Sequence, residues 1–172
     1  NTLTYTWDAS NRLLRVDDAS GQTTYFDYSG ANLTQIRTVT ADNVTQTRVR
    51  YAYDGSNRLI SVTVDLSPAD GSIADGKTYV TSYTYDGTSK RVASITQSDG
   101  TQQSFTYVQV SGGAYKVATS TDGLGRTTSY AYDTANSRTT VTDPLGLSTL
   151  YTYDPTGQLV SIKSPVSGRA SQ

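Results

Sequence analysis

Aromatic residues recur along the chain in pairs separated by one small or polar position. Seven such pairs are Tyr5-Thr6-Trp7, Phe26-Asp27-Tyr28, Tyr51-Ala52-Tyr53, Tyr83-Thr84-Tyr85, Phe105-Thr106-Tyr107, Tyr130-Ala131-Tyr132 and Tyr151-Thr152-Tyr153. Their second members stand at 7, 28, 53, 85, 107, 132 and 153, in steps of 21, 25, 32, 22, 25 and 21. Two aromatics at i and i+2 share one face of a strand. A short turn follows each pair, and then a run in which apolar and polar positions alternate, as in Asn57-Arg58-Leu59-Ile60-Ser61-Val62 and Gly157-Gln158-Leu159-Val160-Ser161-Ile162. Alternation with period two predicts half-buried antiparallel strands, with Ile60 and Val62, or Val160 and Ile162, on one face. A second turn, rich in Asp and Gly, closes the unit: Ser98-Asp99-Gly100, Asp122-Gly123-Leu124-Gly125 and Asp143-Pro144-Leu145-Gly146 are examples.

The unit is therefore strand, turn, strand, turn. Strands joined by such short turns pair with their sequence neighbours, so the predicted fold is all-β, an antiparallel meander of about seven hairpins with almost no helix. Fourteen strands are more than the roughly 10 that an open twisted sheet holds before it curls, which predicts a curved or spiralling strip over residues 1–163. Gly100, Gly125 and Gly157 are expected at positive φ. The 32-residue step marks an insertion at about 65–78, read as a protruding loop or a small extra hairpin because it holds two turn signals. The tail 164–172 has lost the period and is expected to fray. A single-layer meander with two open ends is also expected to self-associate, edge to edge or face to face.

Composition narrows the chemistry. Cys, His and Met are absent, and all 15 acidic residues are Asp. This removes thiol nucleophiles, disulfides, His-based acid–base catalysis and zinc sites built on Cys or His, so no cofactor and no metal is expected. The 29 Thr and 14 Tyr suit strands, and Asp and the 14 Gly suit turns. The repeated Asp8, Asp54, Asp86, Asp133 and Asp154 read as turn caps, each bonding the amide two residues on. The nine-residue Gly-Asp repeat of a calcium roll is missing. Arg12, Arg58, Arg91 and Arg126 follow the turns and are expected to stack on Tyr rings or pair with turn Asp residues. A net charge of −1, with 10 Arg against 15 Asp, offers no face for nucleic acid. No apolar run approaches the roughly 18 residues of a membrane helix, and no signal peptide is visible. The chain starts abruptly at Asn1 and reads as a piece of something longer.

The pattern Tyr-x-Tyr-Asp-x-x-Gly/Asn-Arg-Leu-x-x-Val, closest at Tyr51 to Val62 and Tyr151 to Ile162, resembles the YD repeat of RHS (rearrangement hotspot) proteins. The stretch from Thr121 to Asp133 is equally typical. Seven copies make the signal specific, although Ser29 and Val108 replace the Asp and Tyr115 to Ala118 lack the Arg-Leu. The resemblance implies a β-strip that spirals into a hollow shell, as in bacterial polymorphic toxins, the C component of insecticidal toxin complexes and teneurins. It implies a secreted or cell-surface bacterial protein whose shell encloses or displays another domain.

Two sites follow from this reading. Asp143-Pro144-Leu145-Gly146-Leu147 resembles the self-cleavage motif that ends an RHS core, with Asp143 as the catalytic carboxylate. Arg138 stands where that motif carries an upstream Pro, and a full repeat follows, so an ordinary turn and no enzyme is the expectation. The aromatic ladder is the candidate binding face: Tyr5, Trp7, Tyr51, Tyr53, Tyr83, Tyr85, Tyr130, Tyr132, Tyr151 and Tyr153. Its first role is packing against other YD repeats of a parent protein. Its alternative role is a stacking platform for glycans or cell-surface proteins, to which the resemblance also points.

Overall fold

The computed structural model describes residues 2–70 and 73–164. The strands are β1 (Thr4–Trp7), β2 (Leu13–Asp17), β3 (Thr23–Ser29), β4 (Asn32–Val39), β5 (Thr45–Tyr53), β6 (Leu59–Asp65), β7 (Thr78–Tyr85), β8 (Val92–Gln97), β9 (Gln102–Gln109), β10 (Tyr115–Asp122), β11 (Thr127–Asp133), β12 (Arg138–Thr142), β13 (Ser148–Tyr153) and β14 (Leu159–Lys163). Their order in the sheet is their order in the chain, 14 strands in one open meander. The predicted hairpins are thus all present, each built from an aromatic pair and its alternating run.

Helix among the described residues is limited to two 3-10 turns in the insertion, Pro68–Asp70 and Ile73–Asp75. An extra hairpin at about 65–78 is not what forms: the connection is this pair of turns. Pro68 has a fixed φ and no amide to lend to a ladder, which favours a turn over a strand. The Leu66 amide donates to the Lys77 carbonyl at 2.9 Å, and Ser67 Oγ donates to Asp75 Oδ2 at 2.8 Å, tying the loop across its base. The tail expected to fray lies, beyond Ser164, outside the described residues.

The chain divides into two units, Asn1–Thr84 with Thr96–Gly100, and Tyr85–Ile95 with Thr101–Gln172. In the first, β1 to β7 pair in succession and the register sorts the side chains. Tyr5 lies opposite Val16, Phe26 opposite Ile36, Ile36 opposite Val49, and Tyr51 opposite Val62. The other face is polar, with Arg15 opposite Tyr25 and Tyr25 opposite Arg37. In the second unit Tyr130 lies opposite Val141 and Tyr151 opposite Ile162, again on one face. The aromatic pairs therefore share a face with the apolar positions of neighbouring strands, as the period-two pattern predicts.

The simple alternation is interrupted at Ile60 and Val160, each of which is skipped in the register of its hairpin. Hairpins β1/β2, β3/β4, β5/β6, β9/β10 and β13/β14 each carry a β-bulge, whereas β11/β12 pairs without one, and in the bulged hairpins Tyr53 faces Leu59 and Tyr153 faces Leu159. The same shift sets Trp7 opposite Leu13, Tyr28 opposite Leu33 and Tyr107 opposite Val117. The extra residue in one strand breaks the simple alternation and sets Leu59, not Ile60, opposite Tyr53.

A sheet one layer thick has no interior. Among the described residues no hydrophobic side chain is buried; only Thr38 and Asp65 are. Lateral contact between large side chains leaves the inner tyrosines half-buried.

The turns behave as Gly demands. Gly100, Gly125 and Gly157 stand at φ 87°, 78° and 86°. Asn11 and Asn57 occupy the equivalent turn position at φ 58° and 57°. No atom lies within 4 Å of where a Cβ on Gly125 would stand, so only the backbone resists a side chain there. Gly125→Val should cost at least about 1 kcal/mol, because a β-branched residue disfavours the left-handed region. Gly125→Asn should be nearly neutral, as Asn already serves that position twice. Urea unfolding of both variants measures the contrast; equal stability of the Val variant would contradict it.

Candidate functional site

Several of the turns are built around an Asp. Asp54 Oδ1 accepts from the amides of Ser56 at 2.8 Å and Arg58 at 3.0 Å, while Arg58 Nε donates to Oδ2 at 2.7 Å. Asp8 repeats this with Ser10 and Arg12, and Asp122 with Leu124 and Arg126. Beneath the side chain, the Asn57 amide donates to the Asp54 carbonyl and the Asp54 amide to the Arg58 carbonyl, closing a five-residue turn. The predicted cap is present at Asp8, Asp54 and Asp154, where it reaches four residues on as well as two, whereas Asp133 Oδ1 accepts from the Asn136 amide, three residues on. The Arg58 amide, ahead of the guanidinium, draws the Asp54 carboxyl below its ordinary pKa against a smaller opposing effect of desolvation. Asp8 is lowered in the same way by Arg12, and Asp122 chiefly by the Arg126 side chain.

The same arginines link one hairpin to the next. Arg12 packs over the Tyr28 ring at 4.6 Å and bonds the Gly30 carbonyl; Arg91, paired with Asp86 at 2.7 Å, packs over Tyr115 at 3.9 Å. At Arg12 and Arg91 both expected roles, pairing with Asp and stacking on Tyr, are thus filled by one side chain, and Arg58 and Arg126 show the pairing.

A second link was not anticipated. Tyr28 Oη donates to the Leu13 carbonyl at 3.2 Å, Tyr53 Oη to Leu33 at 2.9 Å, Tyr107 Oη to Val92 at 2.7 Å and Tyr132 Oη to Val117 at 2.8 Å. Each bond runs from the second aromatic of one hairpin to the last strand of the hairpin before it. Strands β2 and β3 pair only from Arg15↔Tyr25 to Asp17↔Thr23, and β10 and β11 only from Thr119↔Ser129 to Thr121↔Thr127. They splay towards the Tyr-bearing end, and the phenol satisfies a carbonyl that the ladder has left. Strands β12 and β13 pair without a gap from Arg138↔Thr152 to Thr142↔Ser148, and there Tyr153 contributes its backbone amide to Ser137 instead. The chain did carry a signal for this. Both phenylalanines, Phe26 and Phe105, hold the first place of their pairs, and six of the seven second places are Tyr.

The candidate binding face divides by exposure. Tyr5 and Trp7, on β1, are 53% and 56% exposed. Tyr51, Tyr53, Tyr83, Tyr85, Tyr130, Tyr132, Tyr151 and Tyr153 are half-buried. Within the second unit four of them, Tyr130, Tyr132, Tyr151 and Tyr153, line a groove of about 630 Å³ with Lys116, Arg138, Asp133 and Asp154 at its margins. Lys116 Nζ stands 4.7 Å from the Tyr132 ring centre, and burial pushes the Tyr132 phenol pKa up. The arrangement offers aromatic faces with charged groups at the rim, able to stack and to hydrogen-bond a polyhydroxylated ligand.

Asp143 is held as a turn residue. Its Oδ1 accepts from the amides of Leu145 and Leu147, both at 2.9 Å, as Asp122 does from Leu124 and Arg126. Among the described residues no group of three or more acidic side chains is placed to hold a metal ion, and no helix is long and apolar enough to cross a membrane.

The RHS Repeat family matches residues 116–147 and 135–169. No curated protein matches the chain. Among solved structures, TcdB2-TccC3 without hypervariable C-terminal region is similar at 14% identity over 94% of this chain and 11% of that one, with a TM-score of 0.32. The Photorhabdus luminescens Tc holotoxin pore is similar at 14% identity, 94% and 11% coverage and a TM-score of 0.31. A protein with unknown function from Bacteroides fragilis follows at 10% identity, 85% and 93% coverage and a TM-score of 0.19. The chain thus spans about a tenth of the length of those toxin chains. The family match falls on the hairpins from β10 to β14, and the earlier ones repeat the same aromatic pair, with the Asp turn and bulge at β1/β2 and β5/β6. Residues 116–169 thus match the RHS Repeat family.

Proposed function

We propose that the chain is a non-catalytic structural segment of a secreted or surface protein, one array over residues 1–163 that forms part of a shell or scaffold enclosing or displaying another domain. The observation that carries this reading is the uncovered aromatic face: no hydrophobic side chain among the described residues is buried, although the register gathers Phe26, Ile36, Val49, Tyr51 and Val62 on one side. A single layer with one apolar face is a component that other layers or contents complete. The chain's carboxylates and arginines are spent on turns and joints, which supports a structural role. A hydrophobic fluorescent dye should bind the isolated, β-folded chain; no binding would mean that the face is covered and the reading fails.

The groove at Tyr130, Tyr132, Tyr151 and Tyr153 favours a second reading, an adhesive module for glycans or cell-surface proteins in which the Tyr face makes the contact. A glycan array separates the two. Broad silence is the expected result. Reproducible binding abolished by Tyr130→Ala with Tyr151→Ala would make adhesion the function.

A further inference from the structure

The turn that joins β4 to β5 is closed without an Asp and leaves one carboxamide unused. The Thr40 amide donates to the Val44 carbonyl at 3.0 Å, the Asn43 amide to the Thr40 carbonyl at 2.9 Å and the Val44 amide to Thr40 Oγ1 at 3.1 Å, so Thr40 holds this loop as Asp54 holds its own. Asn43 stands at φ 62°, and it is exposed, as are Ala41, Asp42, Val44 and Thr45 around it. Among the described residues neither the Asn43 carboxamide nor the Thr45 hydroxyl has a hydrogen-bond partner. Asn43-Val44-Thr45 is Asn, a residue other than Pro, then Thr, the pattern to which N-linked sugars are attached. The chain carries that pattern a second time, at Asn32-Leu33-Thr34. There the polar groups are in use. Asn32 Nδ2 donates to Asn57 Oδ1 at 3.0 Å, the Leu33 carbonyl accepts from Tyr53 Oη at 2.9 Å, and Thr34 Oγ1 donates to the Asp27 carbonyl at 3.0 Å. All three residues are half-buried.

We propose that Asn43 is an acceptor site for an N-linked sugar and that Asn32 is not. In the transfer Asn43 Nδ2 attacks C1 of a nucleotide-activated sugar. The C–N bond forms as the bond from C1 to the diphosphate oxygen breaks, the diphosphate leaves with that electron pair, and the Nδ2 proton passes to a base of the transferase. Such an enzyme must reach the carboxamide and contact the hydroxyl two residues on. Of the two patterns, only the one in the β4/β5 turn presents both groups to solvent. A sugar on Asn43 displaces no hydrogen bond of the side chain, and the turn itself is held by Thr40. The two sites also lie at opposite ends of β4, Asn32 at its first residue and Asn43 beyond its last. A sugar on Asn43 therefore stays clear of the bond from Tyr53 to Leu33, whereas one on Asn32 would break the bond to Asn57 beside it. The proposal adds a modification to the structural segment and does not depend on what covers its aromatic face.

Trypsin separates the two patterns, because cleavage after Arg15, Arg37 and Arg48 releases residues 16–37 and 38–48 as different peptides. The folded chain is incubated with a nucleotide-activated hexose and a soluble N-glycosyltransferase that recognises Asn-x-Ser/Thr, then digested and read by mass spectrometry. One hexose is expected on 38–48, at an occupancy at least about tenfold above that on 16–37, because exposing Asn32 requires hydrogen bonds of the sheet to open. A digest made before the incubation should be modified on both peptides, since no fold then shields either pattern. Asn43→Gly keeps a residue suited to positive φ and should abolish the adduct. Thr45→Ala leaves Asn43 in place and should abolish it too, whereas Thr34→Ala should leave it unchanged. Circular dichroism confirms that each variant is folded. A folded chain modified on neither peptide, or equally on both, overturns the proposal. So does an adduct on 38–48 that survives Asn43→Gly or Thr45→Ala, or a digest in which either peptide stays bare. None of these results bears on the structural reading, which the dye tests separately.

Discussion

Changing Tyr28, Tyr53, Tyr107 and Tyr132 together to Phe is expected to remove about 3–4 kcal/mol of stability, because each phenol contributes about 1 kcal/mol by satisfying a half-buried carbonyl. The four acceptors, Leu13, Leu33, Val92 and Val117, belong to different joints, so the losses should add nearly independently. Against a typical total of about 5–15 kcal/mol this is a large share, although no ring and little apolar area is lost. Tyr153→Phe is the control. Its strand pairs without a gap and no carbonyl waits for its hydroxyl, so its denaturation midpoint should match that of the parent. A quadruple variant as stable as the parent would show that water serves those carbonyls as well as Tyr does.

Acid should unfold the chain through its turns. Asp8, Asp18, Asp54, Asp122, Asp133 and Asp154 all have pKa values lowered below the ordinary carboxyl value by hydrogen bonds that favour the charged form. A carboxyl with a lower pKa folded than unfolded binds its proton more readily in the unfolded chain. Its contribution is therefore complete above the unfolded value of about 4, and is lost as pH falls through the lower folded value. Stability should be flat from neutral pH to about 5 and drop steeply below about 4. Asp54→Asn keeps an acceptor for the Ser56 and Arg58 amides but loses the charge that holds the guanidinium. It should be less stable than the parent at pH 7, with the gap closing as the parent's own carboxylates protonate. A gap that widened on acidification would contradict this account. Thermal unfolding followed by circular dichroism across the pH range is the measurement.

The hairpins were legible because they are local. An aromatic pair at i and i+2, an Asp two and four residues before the amides it caps, and a Gly or Asn at positive φ all act within about ten residues of chain, where spacing alone reports geometry. The meander follows, since turns this short leave a strand no partner but its neighbour. The Asp–Arg pairs were legible for the same reason: Asp54 and Arg58 are four apart. What period two could not report was the bulge. It inserts a residue without changing the composition of the run, so the spacing does not reveal that Leu59, and not Ile60, stands opposite Tyr53.

The amino-acid sequence by itself determined the all-β class, the number and order of the strands, the turn chemistry and the apolar face, because each depends on neighbours along the chain. Only the tertiary structure decided how one hairpin is held to the next. The Tyr Oη to carbonyl bonds cross 15 residues at Tyr28, Tyr107 and Tyr132 and 20 at Tyr53, and they form only where bulged, splayed strands leave a carbonyl unpaired. The gathering of Tyr130, Tyr132, Tyr151 and Tyr153 with Lys116 and Arg138 into one groove likewise depends on strand pairing, which brings residues 20 and more apart into lateral contact. Spacing along a chain specifies which way a side chain points from its own strand; which backbone it meets is set by register and bulge, and these exist only once the strands are side by side.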